Sequence, residues 1–141
     1  MSVMDWARWN QNVHPELELL HHCPNGGSRN KAEAVKLKQM GVKTGIQDLC
    51  LPVPMGVYSG LYIEMKYDTG RLEDSQKKML KALAAAGHYC TVCYGAEEAI
   101  RVLEEYINLK KIDTGNREDT MSEQNMMIRK NGKVKCIIFK E

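Results

Sequence analysis

Three residue types that work together in hydrolytic chemistry fall within one short stretch. Residues 45–66 read GIQDLCLPVPMGVYSGLYIEMK, with two apolar runs, 48–53 and 61–66, parted by PMGVYSG. Pro and Gly at that density mark a chain reversal, and the runs predict a β-hairpin. In the second run Leu61, Ile63 and Met65 alternate with Tyr62, Glu64 and Lys66. Glu64 and Lys66 therefore share a face, about 7 Å apart along the strand. A hairpin symmetric about Gly56 sets Asp48 directly opposite Glu64, with Cβ atoms about 5 Å apart. Other registers of even offset keep the shared face and lengthen the distance.

Two carboxylates and a lysine on one face suit a hard cation. Mg2+ takes oxygen ligands, commonly one or two carboxylates, and leaves other positions to water and phosphate. Asp48 and Glu64 supply the carboxylates, and the backbone carbonyl of Met65 is a candidate third ligand. A bound metal lowers the pKa of its water and neutralises phosphoryl charge. Lys66 would orient the attacking water or counter developing negative charge. The ordinary alternative is a solvated strand face with an i,i+2 Glu/Lys pair; the Asp at matching parity weighs against it.

The same residues resemble a known family. GIQDLCLPVP followed by YSGLYIEMK is similar to the VRR-NUC group of the PD-(D/E)xK nuclease superfamily. CPNGGSRN at 23–30, the MGVKTG approach to Gly45, Gln76 within EDSQKKML and the ending GHYCTVCYGAEEAIRVLEEYI are similar as well. The resemblance spans residues 3–107. It implies a metal-dependent endonuclease with Asp48 and Glu64 as ligands, Lys66 as the catalytic lysine and Gln76 as an accessory active-site residue. It also implies DNA as substrate, Mg2+ as cofactor with Mn2+ as a substitute, and a homodimer of phage or bacterial type acting on branched or Holliday-junction-like DNA. Two departures stand out. Gln47 occupies the place of the proline in the P-D motif, which leaves the local strand geometry open. The family's acidic residue upstream of the equivalent of Trp6 has no clear counterpart: Asp5 is the only acid there, and the role is left unassigned.

The totals fit this reading without selecting it. The 141 residues suffice for one core, and 43% hydrophobic with 27% charged residues is ordinary for a soluble globular domain. No apolar run reaches membrane-span length and no basic-then-apolar leader opens the chain, so a cytoplasmic protein is expected. Five cysteines at irregular spacing fit reduced thiols better than a disulfide scaffold. A net charge of +2 says nothing about nucleic acid. Its distribution says more, because Arg29, Lys31, Lys36, Lys38 and Lys43 are countered locally only by Glu33.

The remaining chain supplies the elements that must position these groups. A helix is predicted over 2–11, with Trp6 and Trp9 as candidates for core or dimer packing or for base stacking. A strand is predicted over 17–23. His21, His22, Cys23, His88, Cys90 and Cys93 invite a zinc reading, but i and i+3 on a strand point to opposite faces. The loop 24–30 bends at Gly26 and Gly27, and Ser28 or Asn30 can cap the helix predicted over 31–40. Its exposed amides favour a phosphate, so Asn25, Gly26, Gly27, Arg29, Lys36, Lys38 and Lys43 are the candidate DNA-contacting residues. Within that helix Ala34, Leu37 and Met40 form a candidate inward set.

Further on, an amphipathic helix is predicted over 73–86, with Gln76 as the polar member of an inward stripe of Leu72, Met79, Leu80 and Leu83. A strand over 88–94 follows, joined to the hairpin by a crossover. The helix over 96–109 buries Ala99, Ile100, Leu103 and Ile107, and its acids read as a solvated face. Residues 112–125 read as a linker, and 126–141 as a hairpin about Asn131 and Gly132 that adds a sheet edge or swaps onto a second subunit.

The expected fold is α/β, a restriction-endonuclease-like core with a central mixed β-sheet flanked by α-helices. The expected division is residues 1–109 for the nuclease domain and 110–141 for the linker and C-terminal β-hairpin extension. The alternative function is a non-catalytic DNA-binding or assembly module that keeps this fold; a zinc-stabilised interaction protein is the third.

Overall fold

The computed structural model describes residues 1–24, 30–109 and 121–122, and the backbone of two further strands between 127 and 136. Helix α1 (Val3–Asn10) begins at Ser2, whose hydroxyl accepts from the Asp5 amide at 3.1 Å. The segment expected to be a strand over 17–23 instead forms a 3-10 helix, Pro15–Leu19, and a two-residue strand β1 (His21–His22). Pro15 explains the difference: it suits the first turn of a helix and withholds an amide from any ladder.

Helix α2 (Lys31–Gln39) is capped by Asn30, whose Oδ1 accepts from the Glu33 amide at 2.8 Å. The expected inward set does not exist, because no residue of α2 is buried and only Leu37 is partly covered. The alternation of lysines with short apolar residues leaves no continuous apolar stripe to pack.

Strands β2 (Leu49–Leu51) and β3 (Leu61–Lys66) pair antiparallel, with Leu49 opposite Ile63, Cys50 opposite Tyr62 and Leu51 opposite Leu61. This is the register that symmetry about Gly56 predicts. The tip departs from that symmetry: Met55 bridges Tyr58, and three residues on the first arm oppose two on the second. Helix α3 (Asp74–Ala85) carries the chain over one sheet face, and β4 (Tyr89–Tyr94) returns parallel to β3, the expected crossover. The sheet order is β1-β2-β3-β4, with one parallel and two antiparallel junctions.

Alternation gives this sheet two unlike faces. Leu49, Leu51, Leu61, Ile63, Tyr89 and Cys93 pack with Val3, Trp6 and Ala7 of α1 and with Ala99, Val102, Leu103, Tyr106 and Ile107 of α4 (Ala96–Ile107). The i, i+3, i+4, i+7, i+8 spacing of that α4 set is what makes it a core helix. Trp6 joins this core, whereas Trp9 is exposed. Cys90 and Val92 point the other way, into a smaller cluster with Tyr62 and with Leu72, Leu80 and Leu83 from α3 and its approach. Asp48, Glu64 and Lys66 belong to that second face.

Two acids of α4 do more than face solvent. A Glu98 carboxylate oxygen accepts from the Tyr94 amide at 2.7 Å, and Glu105 accepts from the Ser122 amide and hydroxyl at 2.5 and 2.9 Å. Beside Ser122, Met121 is buried and its amide donates to Tyr58 Oη at 3.2 Å. This part of the expected linker is therefore docked on the domain. Strands β5 (Met127–Lys130) and β6 (Lys133–Cys136) pair antiparallel across positions 131 and 132, and β5 approaches β4 without joining its ladder. Most of the self-association expected of residues 126–141 lies outside the described residues.

Candidate active site

Asp48 sits at the bend that leads into β2, held from two sides. Its carbonyl accepts from the Cys23 amide at 2.7 Å and from His22 Nδ1 at 2.9 Å. Its carboxylate Oδ2 accepts from the Met65 amide at 2.8 Å. The backbone is thus tied to β1 and the side chain to β3. Glu64 is one step past the Leu49–Ile63 pair on the same face, so the two carboxylates are neighbours across the ladder.

Glu64 is 2% exposed. Its Oε1 accepts from Gln76 Nε2 at 2.7 Å and lies 3.7 Å from Lys66 Nζ. Its Oε2 is buried with no hydrogen-bond partner. Burial pushes the Glu64 carboxyl up to about 7; the charge of Asp48 pushes the same way, and Lys66 offsets only part of this. Gln76 comes from the first turn of α3, where its Oε1 accepts from the Glu73 amide at 2.9 Å. One end of the carboxamide caps the helix, so the other end must present N–H to Glu64.

The structure therefore brings Asp48, Glu64, Lys66 and Gln76 together, from a bend, a strand and a helix N-terminus. Of the candidate DNA-contacting residues, Lys36 and Lys38 lie exposed on α2 and Lys43 is exposed beyond it. Asn25, Gly26, Gly27 and Arg29 lie outside the described residues. Asp5 is engaged elsewhere, paired to Arg8 at 2.8 Å on the solvent side of α1. Cys90 and Cys93 point to opposite faces, and burial pushes both thiols up to about 12, a poor start for zinc ligation.

The donor set fits Mg2+ or Mn2+. Among the described residues no group of three or more His, Cys, Asp and Glu side chains is placed to hold a metal. Two carboxylates remain, one with an unpartnered buried oxygen, beside a strand carbonyl at Met65. An extended residue points its N–H and C=O the same way, so the Met65 carbonyl faces the Asp48 side. Few protein ligands with several positions left to water and phosphate is the usual arrangement for Mg2+.

A mixed sheet flanked by helices, with an acid–acid–lysine face under one helix, places the chain in the restriction-endonuclease-like α/β class. The comparisons narrow this. The family model of the VRR-NUC domain matches residues 2–97, and the chain belongs to that nuclease-type family. A solved structure, a VRR_NUC domain protein, is similar over 77% of this chain and 84% of its own, with 34% identity and a TM-score of 0.67. No curated protein matches the chain. Among the described residues, no helix is long and apolar enough to cross a membrane.

One residue of the site escaped the sequence reading in its role, though not in its oddity. Gln47 marks the motif's departure from proline, and it proves to be completely buried. A polar residue between Gly45 and the first carboxylate was the available signal.

Proposed function

We propose that this protein is a Mg2+-dependent deoxyribonuclease, an endonuclease hydrolysing DNA phosphodiester bonds within a nuclease domain of residues 1–109. The observation that carries the reading is the buried Glu64 carboxylate beside Asp48, with one oxygen held by Gln76 and the other buried without a hydrogen-bond partner. Asp48 and Glu64, with the Met65 carbonyl, would hold Mg2+, which when bound supplies neutralising charge at the phosphoryl group and a more acidic water.

The chain's own residues do the rest. Gln76 fixes the Glu64 carboxylate in one rotamer, and the Met65 amide does the same for Asp48. Lys66, its side chain 17% exposed, holds its ammonium 3.7 Å from Glu64 Oε1. Its ammonium would orient the attacking water and counter the charge that develops on phosphate. Helix α2, with Lys36 and Lys38 uncovered and Lys43 beyond it, supplies backbone contact of the sequence-independent kind. Branched DNA is the proposed preferred substrate.

The test is cleavage of linear, nicked, flap and four-way DNA by purified protein with Mg2+, Mn2+ or EDTA. Metal-dependent cutting, fastest on a branched substrate, is expected. Tight DNA binding without cutting under any condition would make the protein a binding module instead.

A further inference from the structure

Gln47 precedes Asp48 and is 0% exposed. Its Nε2 donates to the Gly45 carbonyl at 2.9 Å and makes a longer contact, 3.5 Å, with the Gln76 carbonyl. Both neighbours are acceptors only, so the nitrogen must face them and the carboxamide cannot be turned round. Its Oε1 is then buried with no donor among the described residues.

Gly45 adds a second contact at the same place. It has φ +81°, and a Cβ there would stand 2.3 Å from the Ser75 carbonyl oxygen and 2.9 Å from the Gln76 nitrogen. The backbone of the loop therefore lies flat against the first turn of α3, an approach open only to glycine. That same turn sends out the Gln76 side chain that holds Glu64. One patch thus joins the residues leading into Asp48 to the helix turn that fixes Glu64.

We infer that Gln47 is a positioning residue: its carboxamide docks the Asp48 loop on α3 and so sets the spacing of the two carboxylates. The inference rests on the metal-dependent reading proposed above. Proline at this position would stiffen the backbone by fixing φ but would offer nothing to α3. Here the carboxamide braces the loop through the Gly45 carbonyl and reaches α3 through one long contact with the Gln76 carbonyl, and both can be cut without emptying the volume.

Removing the carboxamide separates this role from packing. Gln47→Met keeps the volume and relieves the orphaned Oε1, but it leaves the Gly45 carbonyl without its donor, and the two effects oppose each other. Gln47→Met should accordingly fold and melt near the wild-type temperature. Yet it should weaken Mn2+ affinity and lower kcat by roughly 10–100-fold, the range typical when a partner behind a metal ligand is lost. KM for DNA should not change. In the metal-free protein, the Met65 amide, which is held by Asp48, should exchange faster with solvent. Gln47→Asn, one methylene too short to reach, carries the same expectations for Mn2+, kcat and exchange, so a misfolded Met variant does not shelter the idea. Wild-type Mn2+ affinity, kcat and Met65 exchange in either folded variant would overturn it. Asp48→Asn in the same series tells the two failures apart. If Asp48→Asn loses Mn2+ and the Gln47 variants do not, only the role of Gln47 falls. If Asp48→Asn still binds Mn2+ like wild type, the metal reading falls and takes this inference with it.

Discussion

The two faces of the central sheet are built from the same strands and obey different rules. Toward α1 and α4 the buried side chains are almost wholly apolar; the Tyr106 hydroxyl donates to the Val53 carbonyl at 2.5 Å, and the neutral Tyr89 hydroxyl is the polar atom left buried without a partner among the described residues. Toward α3, Glu64 Oε2 and Gln47 Oε1 are both buried without partners, and Glu64 holds its proton far more tightly than an ordinary carboxylic acid. The first face stabilises the fold. The second is held in an arrangement that destabilises it, which is what a site prepared for a cation requires.

Substitutions should separate the faces sharply. Asp48→Asn removes a charged ligand and should reduce cleavage to background, while urea melts show stability at or above wild type. Leu103→Ala, on the other face, should lower stability by about 2–5 kcal/mol, the range for a fully buried leucine. Its cleavage rate per folded molecule should stay normal. Equal loss of stability in both variants would erase the distinction.

A smaller effect tests the charge balance of the polar face. In metal-free protein Glu64 keeps its proton up to about 7, against 4.5 for the free side chain. Between those values the folded state binds more protons than the unfolded one, so this group makes stability fall as pH rises. Urea midpoints measured in EDTA at several values from pH 4.5 to 8 should show that slope, and Glu64→Gln should flatten it. A slope unchanged by the substitution would assign it to other groups.

The apolar face was the more legible in the sequence. The α4 spacing and the alternation of Leu61, Ile63 and Met65 are local patterns, and the hairpin register followed from one turn. Asp48, Glu64 and Lys66 were legible for the same reason, since parity along two strands decides the face. Two features were not. Whether α2 is covered depends on what the rest of the chain brings to it, and among the described residues nothing buries its Ala34, Leu37 and Met40. Gln47 reaches, besides the neighbouring Gly45 carbonyl, a helix almost thirty positions on, a relation that no local pattern encodes.

Exposed α2 gives the smallest expected effect. A nine-residue helix that buries nothing is marginal by itself in water, so its lysines should serve contact rather than folding. Lys36→Glu with Lys38→Glu should leave the melting temperature unchanged, weaken DNA binding and flatten its dependence on salt, because fewer counterions are released. An unaltered salt slope would mean that α2 does not meet phosphate.

The central claim, that Asp48 and Glu64 form a cation site served by Lys66, is met most directly by calorimetric titration of Mn2+ into four proteins. Wild type should give a saturable binding signal, and Asp48→Asn and Glu64→Gln should give none. Lys66→Ala should keep the wild-type signal while failing to cut DNA, since lysine is not a ligand. A wild-type titration curve from Asp48→Asn or Glu64→Gln would contradict the account and leave the hairpin as a strand pair with charged side chains.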